Sequence, residues 1–436
     1  MHAMPDPRNS LRFALLSERY ACLCVRWATA LLSLLLVASG CTTTDSTETA
    51  EDPGRAASVS GQWVGTWSTA PQLVEPHNMP PAPGLSNNTL RQVVRVSLGG
   101  DSLRVRFSNE FSTQPVTINV VRVALATGGS TIDEATTKVL TFNGAKAVTM
   151  DPESTVTSDP FLFALAPRMD LAITIYFGNT APDVTGHPGS RTTSYLLSGE
   201  PGEGEAFAEA IPTDHWYVIN GIDVKASDTA AAVAILGNSI TDGRGSGTNQ
   251  QNRWPDILAE RLQERTDTRP VAVLNMGIGG NCVLRACLGP SALDRFGRDV
   301  LRQPGVEWVI ILEGINDIGQ TPDQAAATQV AQALIDAYTT MIDTAHARGL
   351  RVYGATLLPF KESFYYEDYR EAARQTVNQW IRSSGRFDKV IDFDQALRNP
   401  QDTLTLLPDV HSGDFLHPNE AGYRKMGEAI DLTWLE

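Results

Sequence analysis

The sequence predicts an α/β fold, a parallel sheet covered by helices on both faces, preceded by an antiparallel, jelly-roll-like β-sandwich. Two rhythms of hydrophobicity and the length of the chain predict it. Across residues 227–436, apolar runs at 232–236, 271–276, 308–312, 352–357 and 390–393 alternate with helical patterns at 254–265, 291–301, 324–347 and 366–384. Strands that are apolar throughout are buried on both faces, which is the signature of a parallel sheet between helical layers. Across residues 61–226 the period is two. Val94, Val96 and Leu98 alternate with Arg95 and Ser97, and Leu103, Val105 and Phe107 alternate with Arg104 and Arg106. Gly99-Gly100-Asp101-Ser102 between these runs predicts a hairpin. Further strands are expected at 116–125, 138–142, 170–177 and 216–219, and many short strands separated by turn residues describe a sandwich. The 436 residues exceed one typical core, so two folded domains, 61–226 and 227–436, are expected.

Residues 1–41 read as a leader. Arg8, Arg12, Arg19 and Arg26 form a basic region, residues 27–38 an apolar run, and Ser39-Gly40-Cys41 a small-residue cleavage site. The apolar run is shorter than the roughly 20 residues that span a bilayer. Cys41 after Ala-Ser-Gly resembles the lipobox of bacterial lipoproteins, which implies lipidation of Cys41 and anchoring to a membrane rather than spanning it. The expected location is a membrane-anchored lipoprotein in the periplasm or on the cell surface, with simple secretion as the alternative. Residues 42–60 are small, polar and partly acidic, as in a flexible tether.

The net charge of −15 and the lack of any Lys/Arg run argue against nucleic acid as a partner. Of five cysteines, Cys22 and Cys24 leave with the leader and Cys41 would be lipidated, so Cys282 and Cys287 remain in the body. They either pair, which needs Cα atoms within about 7 Å, or stay as two small buried thiols. No Cys/His cluster has metal-ligand spacing, and no metal or cofactor is expected.

Four short blocks carry the candidate chemistry. In Gly237-Asn238-Ser239-Ile240-Thr241-Asp242-Gly243 a serine follows a predicted strand, which fixes the backbone while the turn presents the hydroxyl. In Asn275-Met276-Gly277-Ile278-Gly279-Gly280-Asn281 the glycines let backbone N–H groups approach a ligand, although the spacing is not that of a dinucleotide site. In Gly314-Ile315-Asn316-Asp317 the asparagine offers an uncharged donor for a transient oxyanion. In Asp414-Phe415-Leu416-His417-Pro418 the carboxylate and the imidazole are three apart, a spacing that suits one side of a helical turn, with Pro418 opening a helix over 421–430. A carboxylate on one ring nitrogen leaves the other to take a proton from Ser239. His411, with Asp409 only two residues before it, is the nearest competitor.

Taken together and in this order, the blocks resemble the SGNH (GDSL-like) hydrolase family over residues 237–418. The resemblance implies a three-layer flavodoxin-like sheet. It implies Ser239 as nucleophile, His417 as base and Asp414 as its orienter. It also implies an oxyanion hole of the Ser239 N–H, the Gly280 N–H and the Asn316 side chain. Asn238 departs from the family, which carries Asp before the serine; the change bears on local charge rather than on the triad. Residues 241–255, with Arg253-Trp254-Pro255, resemble secreted bacterial esterases that carry an N-terminal β domain. The implied reaction is hydrolysis of carboxylic esters, short-chain acyl or acetyl and linked to polysaccharides or small alcohols. A lysophospholipase or thioesterase on the same machinery is the alternative, and a carbohydrate-binding lipoprotein with an inactive hydrolase fold is a third reading. Asp414 is expected to raise the pKa of His417 above about 6.5. Trp63 and Trp67 either stack on sugar or pack the sandwich and its seam.

Overall fold

Five parallel strands form the centre of the second half of the chain, in the order Val271–Gly277, Ala231–Gly237, Val306–Leu312, Arg351–Ala355 and Lys389–Ile391. Numbered along the chain this is 2-1-3-4-5, the flavodoxin-like order, whose ligand crevice lies where the order reverses, beyond the carboxyl end of the first strand. The computed structural model describes residues 61–201, 207–265 and 270–436, all within one compact unit. The leader, Cys41 and the tether lie outside the described residues. Ala231–Gly237 is buried at every position because it is sandwiched between two strands and two helical layers. Helix Trp254–Glu264 packs with Glu420–Glu428, and Gln324–His346 packs with Asp368–Ser383. The last strand is shorter than its apolar run. Asp392 caps a helix over Phe393–Leu397 by accepting from the Gln395 N–H, so the chain leaves the sheet there.

Residues 62–226 form two larger antiparallel sheets and a small three-stranded one of Gln72–Leu73, Thr185–His187 and Trp216–Tyr217. One of the larger pair runs Gln62–Ser68, Ile219–Ala226, Gly100–Asn109, with Ser154–Thr157 and Phe161–Leu165 beside the last. The other runs Ile211–Thr213, Ser194–Ser198, Asn88–Arg95, Asp170–Phe177, Val116–Gly128 and Thr131–Val139. The predicted hairpin through Gly99 and Gly100 does not form, because Asn88–Arg95 and Gly100–Asn109 belong to different sheets. The Val96 N–H bonds the Met169 carbonyl, while the Ser97 N–H bonds the Thr66 carbonyl, so the chain crosses the sandwich at 96–97. Val94, Val96 and Leu98 stay buried throughout. Side-chain alternation is the same for a chain that folds back and one that crosses to the facing sheet, and it cannot separate the two.

The sandwich covers the open edge of the parallel sheet. Val273, on the edge strand, donates its N–H to Ser97 Oγ at 3.0 Å, and the Gly65 N–H bonds the Pro304 carbonyl at 2.9 Å. An unpaired strand edge is a template for aggregation, and here it is capped from within the chain. Trp67 is buried at this seam, its ring edge-on to Trp216 at 5.0 Å. Trp63 has the Arg104 guanidinium 4.5 Å from its ring centre. Both tryptophans pack rather than form an open platform.

Candidate active site

Three adjacent strands deliver the candidate residues to one end of the sheet. Gly237 is in register with Gly277 on one side and with Leu312 on the other. Ser239, Gly280 and Asn316 follow these three ends by two, three and four residues. Ser239 opens a short helix, Ser239–Asp242, capped by Asn238, whose side-chain oxygen accepts from the Ile240 N–H. His417 comes from the far end of the chain. Its Nε2 lies 2.8 Å from Ser239 Oγ, and its Nδ1 lies 2.6 Å from Asp414 Oδ2. Asp414 and His417 do not sit on a helical turn. Asp414 Oδ1 accepts from the backbone N–H groups of Leu416 and His417, a side-chain turn with Phe415 in the left-handed region, and Asn419 rather than Pro418 caps the helix that follows. The turn holds the carboxylate and imidazole at a fixed spacing with no helix behind them. His411 stays apart from this group, stacking on Phe415 and accepting the Gly413 N–H at Nδ1.

Gly280 and Asn316 are held in place by their neighbours. Gly280 has φ +72°, and a Cβ there would come within 2.7 Å of Leu288, so the loop needs glycine for both reasons. Asn281 donates to the Leu288 and Pro290 carbonyls and accepts from Arg295 Nε at 2.9 Å. Asn316 gives one Nδ2 hydrogen to the Asn281 carbonyl at 2.8 Å, while its oxygen accepts from the Tyr365 hydroxyl at 3.1 Å. The second Nδ2 hydrogen is the one left for a ligand. Asp317 accepts the Val283 and Leu284 N–H groups. These amides lie in the loop closed by a Cys282–Cys287 disulfide, with Cα atoms 5.6 Å apart.

Beneath the site is a buried polar network. Arg295 donates to the carbonyls of Gly237 and Met276, at the ends of two neighbouring strands, and pairs with Asp299 and Glu313. Asn238 donates to Glu313 Oε2 at 3.2 Å. Asparagine at 238 therefore fits its surroundings, since it offers an acceptor to the helix and a donor to Glu313. An ionised aspartate there would lack the N–H that donates to Glu313. Burial pushes Glu313 up to about 8, against the opposing pull of Arg295.

Electrostatics at the histidine run opposite to the sequence expectation. Burial lowers the His417 pKa below its ordinary 6.5, outweighing the hydrogen bond and charge of Asp414, and Arg244 and Arg191 lower it further. Burial pushes Asp414 up, but hydrogen bonds from the His417 amide, the His417 ring and the Leu416 amide overcome it and hold the carboxyl at about 2. The pair is thus set to carry a neutral imidazole whose Nδ1–H points at a carboxylate.

Arg295 and Glu313 were missed by the sequence reading, as were three residues that meet just behind Ser239. These are His187 from the sandwich, Asp242 at the end of the short helix, and Arg191. The available signals were charges inside apolar patterns: Arg295 in a helical run, and Glu313 directly after the strand Val-Ile-Ile-Leu. For His187 there was only the turn-like His-Pro-Gly.

Residues 235–425 match the model of the GDSL-like Lipase/Acylhydrolase family. Among solved structures, a lipase/acylhydrolase from Enterococcus faecalis is 19% identical, covering 46% of this chain and 92% of its own, with a TM-score of 0.35. An acetylxylan esterase from Geobacillus stearothermophilus, solved as a catalytic mutant, is 20% identical, covering 46% and 91%, with a TM-score of 0.36. A GDSL-like lipase from Bacteroides thetaiotaomicron is 19% identical, covering 45% and 84%, with a TM-score of 0.33. No curated protein matches the chain. With the 2-1-3-4-5 sheet and the blocks at 237–243, 275–281, 314–317 and 414–418 all inside the matched segment, residues 235–425 form a domain of the GDSL-like lipase/acylhydrolase family.

Proposed function

We propose that this domain is a serine esterase acting on carboxylic esters by two-step acyl transfer. The observation that carries the reading is the continuous chain from Ser239 Oγ through the His417 ring to Asp414, at 2.8 and 2.6 Å. With Nδ1–H committed to Asp414, Nε2 is the basic nitrogen and takes the Ser239 proton as Oγ attacks the ester carbonyl carbon. The carbonyl electron pair moves onto oxygen, which is met by the Ser239 and Gly280 N–H groups and the second Nδ2 hydrogen of Asn316. Three neutral donors stabilise a charge that exists only in the intermediate. Collapse breaks the ester C–O bond, and the leaving alkoxide takes the proton from Nε2. Water then repeats the sequence on the acyl-enzyme. It loses a proton to His417, the acid departs, and Ser239 is restored.

The acyl group is short, acetyl included, and the alcohol is a small molecule or a polysaccharide. A lysophospholipase or thioesterase reading has one observation in its favour: Leu288, against Gly280, and Phe364, beside Tyr365, are exposed apolar side chains on the oxyanion side. The leader pattern and Cys41 support export with a lipid anchor. A chain-length series of nitrophenyl esters, run beside acetylated xylan and a lysophospholipid, tests the reading. Highest kcat/KM on acetyl to butyryl esters supports it, a maximum on long acyl chains favours the second reading, and full turnover by Ser239→Ala overturns both.

A further inference from the structure

His187 and Asp242 form a second histidine–carboxylate pair, and it joins the two halves of the molecule. His187 ends the strand Thr185–His187, which pairs with Gln72–Leu73 and Trp216–Tyr217 in the sandwich half. Asp242 ends the helix that Ser239 opens. His187 Nε2 lies 2.9 Å from Asp242 Oδ1, and Nδ1 lies 3.0 Å from the Ala70 carbonyl oxygen, with both side chains buried. A carbonyl can only accept, so Nδ1 donates to Ala70. The remaining contact joins a ring nitrogen to a carboxylate oxygen, which needs a proton between them.

The surrounding backbone is shaped to this carboxylate. A Cβ at Gly189 would fall within 2.4 Å of three atoms of the Asp242 carboxyl group, so the 187–191 turn wraps it too closely for any side chain. Arg191 Nη2 stands 4.0 Å from Asp242 Oδ2, the only other charged group the ion pairs bring to this carboxylate among the described residues. The same turn is laced to the loop that follows the short helix. Arg253 donates to the Ser190 carbonyl, Gln251 to Thr192 Oγ1, and the Asn249 N–H to the Arg191 carbonyl. The helix Ser239–Asp242 is one turn long, too short to hold its own geometry. Something outside it must fix the Ser239 hydroxyl and N–H.

We propose that His187 and Asp242 are positioning residues of the Ser239 site. They hold the nucleophile helix so that Ser239 Oγ meets His417 and the Ser239 N–H faces the oxyanion. This makes the sandwich a structural part of the catalytic centre rather than a detachable binding module. The inference rests on Ser239 being the nucleophile. A shift of about 1 Å in a reacting group can cost about 100-fold in rate.

The test uses the full mature chain with His187→Ala, His187→Gln and Asp242→Asn, read by nitrophenyl acetate kinetics, fluorophosphonate labelling rate and thermal midpoint. His187→Ala and Asp242→Asn are expected to lower kcat and the labelling rate together by about 10- to 100-fold with KM nearly unchanged. Gln can place its amide N–H near the Nε2 position, and His187→Gln is expected to recover most of that loss. Asp242→Asn keeps shape and volume, so it stands as the test if His187→Ala does not fold. Folded variants with the wild-type kcat and labelling rate overturn the inference, as does a His187→Gln no better than His187→Ala. Ser239→Ala run alongside separates the two levels. If it still turns over ester, the nucleophile assignment fails. If it is inert while Asp242→Asn matches wild type, only the positioning role fails.

Discussion

The sandwich and the α/β region bury charge in opposite ways. The sandwich core is largely apolar, with Val94, Phe107, Ile173 and Ile175 fully buried, and the one buried acid among its described residues, Asp223, is met by Arg104 and Arg106 near the seam. The α/β region buries Arg295, Asp299, Glu313 and Asp317 where Ser239, Gly280 and Asn316 emerge, and a second group, Arg374 with Glu371 and Asp394, beside its last two strands. Buried charge is costly unless paired and hydrogen-bonded, so a layer that only has to be stable avoids it. A site that must hold dipoles still while charge develops has a use for it.

The largest expected effects would sharpen that contrast. Ser239→Ala and Asp414→Asn should each lower kcat by roughly 10⁴-fold on a nitrophenyl ester, the second because the ring loses its fixed tautomer. Neither should change the thermal midpoint by more than a few degrees. Asn316→Ala should cost about 10²- to 10³-fold in kcat with KM little changed. Trp67→Ala acts on the other region. It should destabilise by about 3–5 kcal/mol in denaturant melts, with sandwich and α/β signals lost in one transition, because both share the seam. Two separated transitions would break the picture of one unit.

Smaller effects concern protons. The His417 pKa is lowered by burial, and activity needs the neutral ring, so kcat/KM should fall with acid only below pH 6.5. Arg244→Gln removes a nearby cation and should move that acid limb to higher pH; an unmoved limb would deny the electrostatic contact. Glu313, raised to about 8 by burial, binds its proton more tightly folded than unfolded. Stability should therefore decline as pH rises from its ordinary 4.5 towards 8. Glu313→Gln should flatten that decline in urea melts, while an unchanged slope would show the carboxyl already ionised.

What the sequence disclosed follows from how far each signal reaches. Continuous apolar runs reveal buried parallel strands, and turn chemistry at their ends reveals where Ser239, Gly280 and Asn316 emerge. Both are local, and both are legible. Asp414 and His417 were legible as a pair, but their turn was not, because a spacing of three suits a side-chain turn as well as a helix. The crossing at 96–97 was illegible because alternation is identical for two strands in one sheet or in facing sheets. The sign of the His417 shift depended on depth, set by residues far away in sequence. The contact between His187 and Asp242 spans 55 positions and two kinds of layer, and no pattern at either end announces it.

The most direct test is the mass of the protein after reaction with a fluorophosphonate, followed by peptide mapping. One adduct per chain is expected, on the peptide carrying Ser239, formed by the wild type and absent from Ser239→Ala. An adduct on another residue, or ester turnover that survives in Ser239→Ala, would contradict the account.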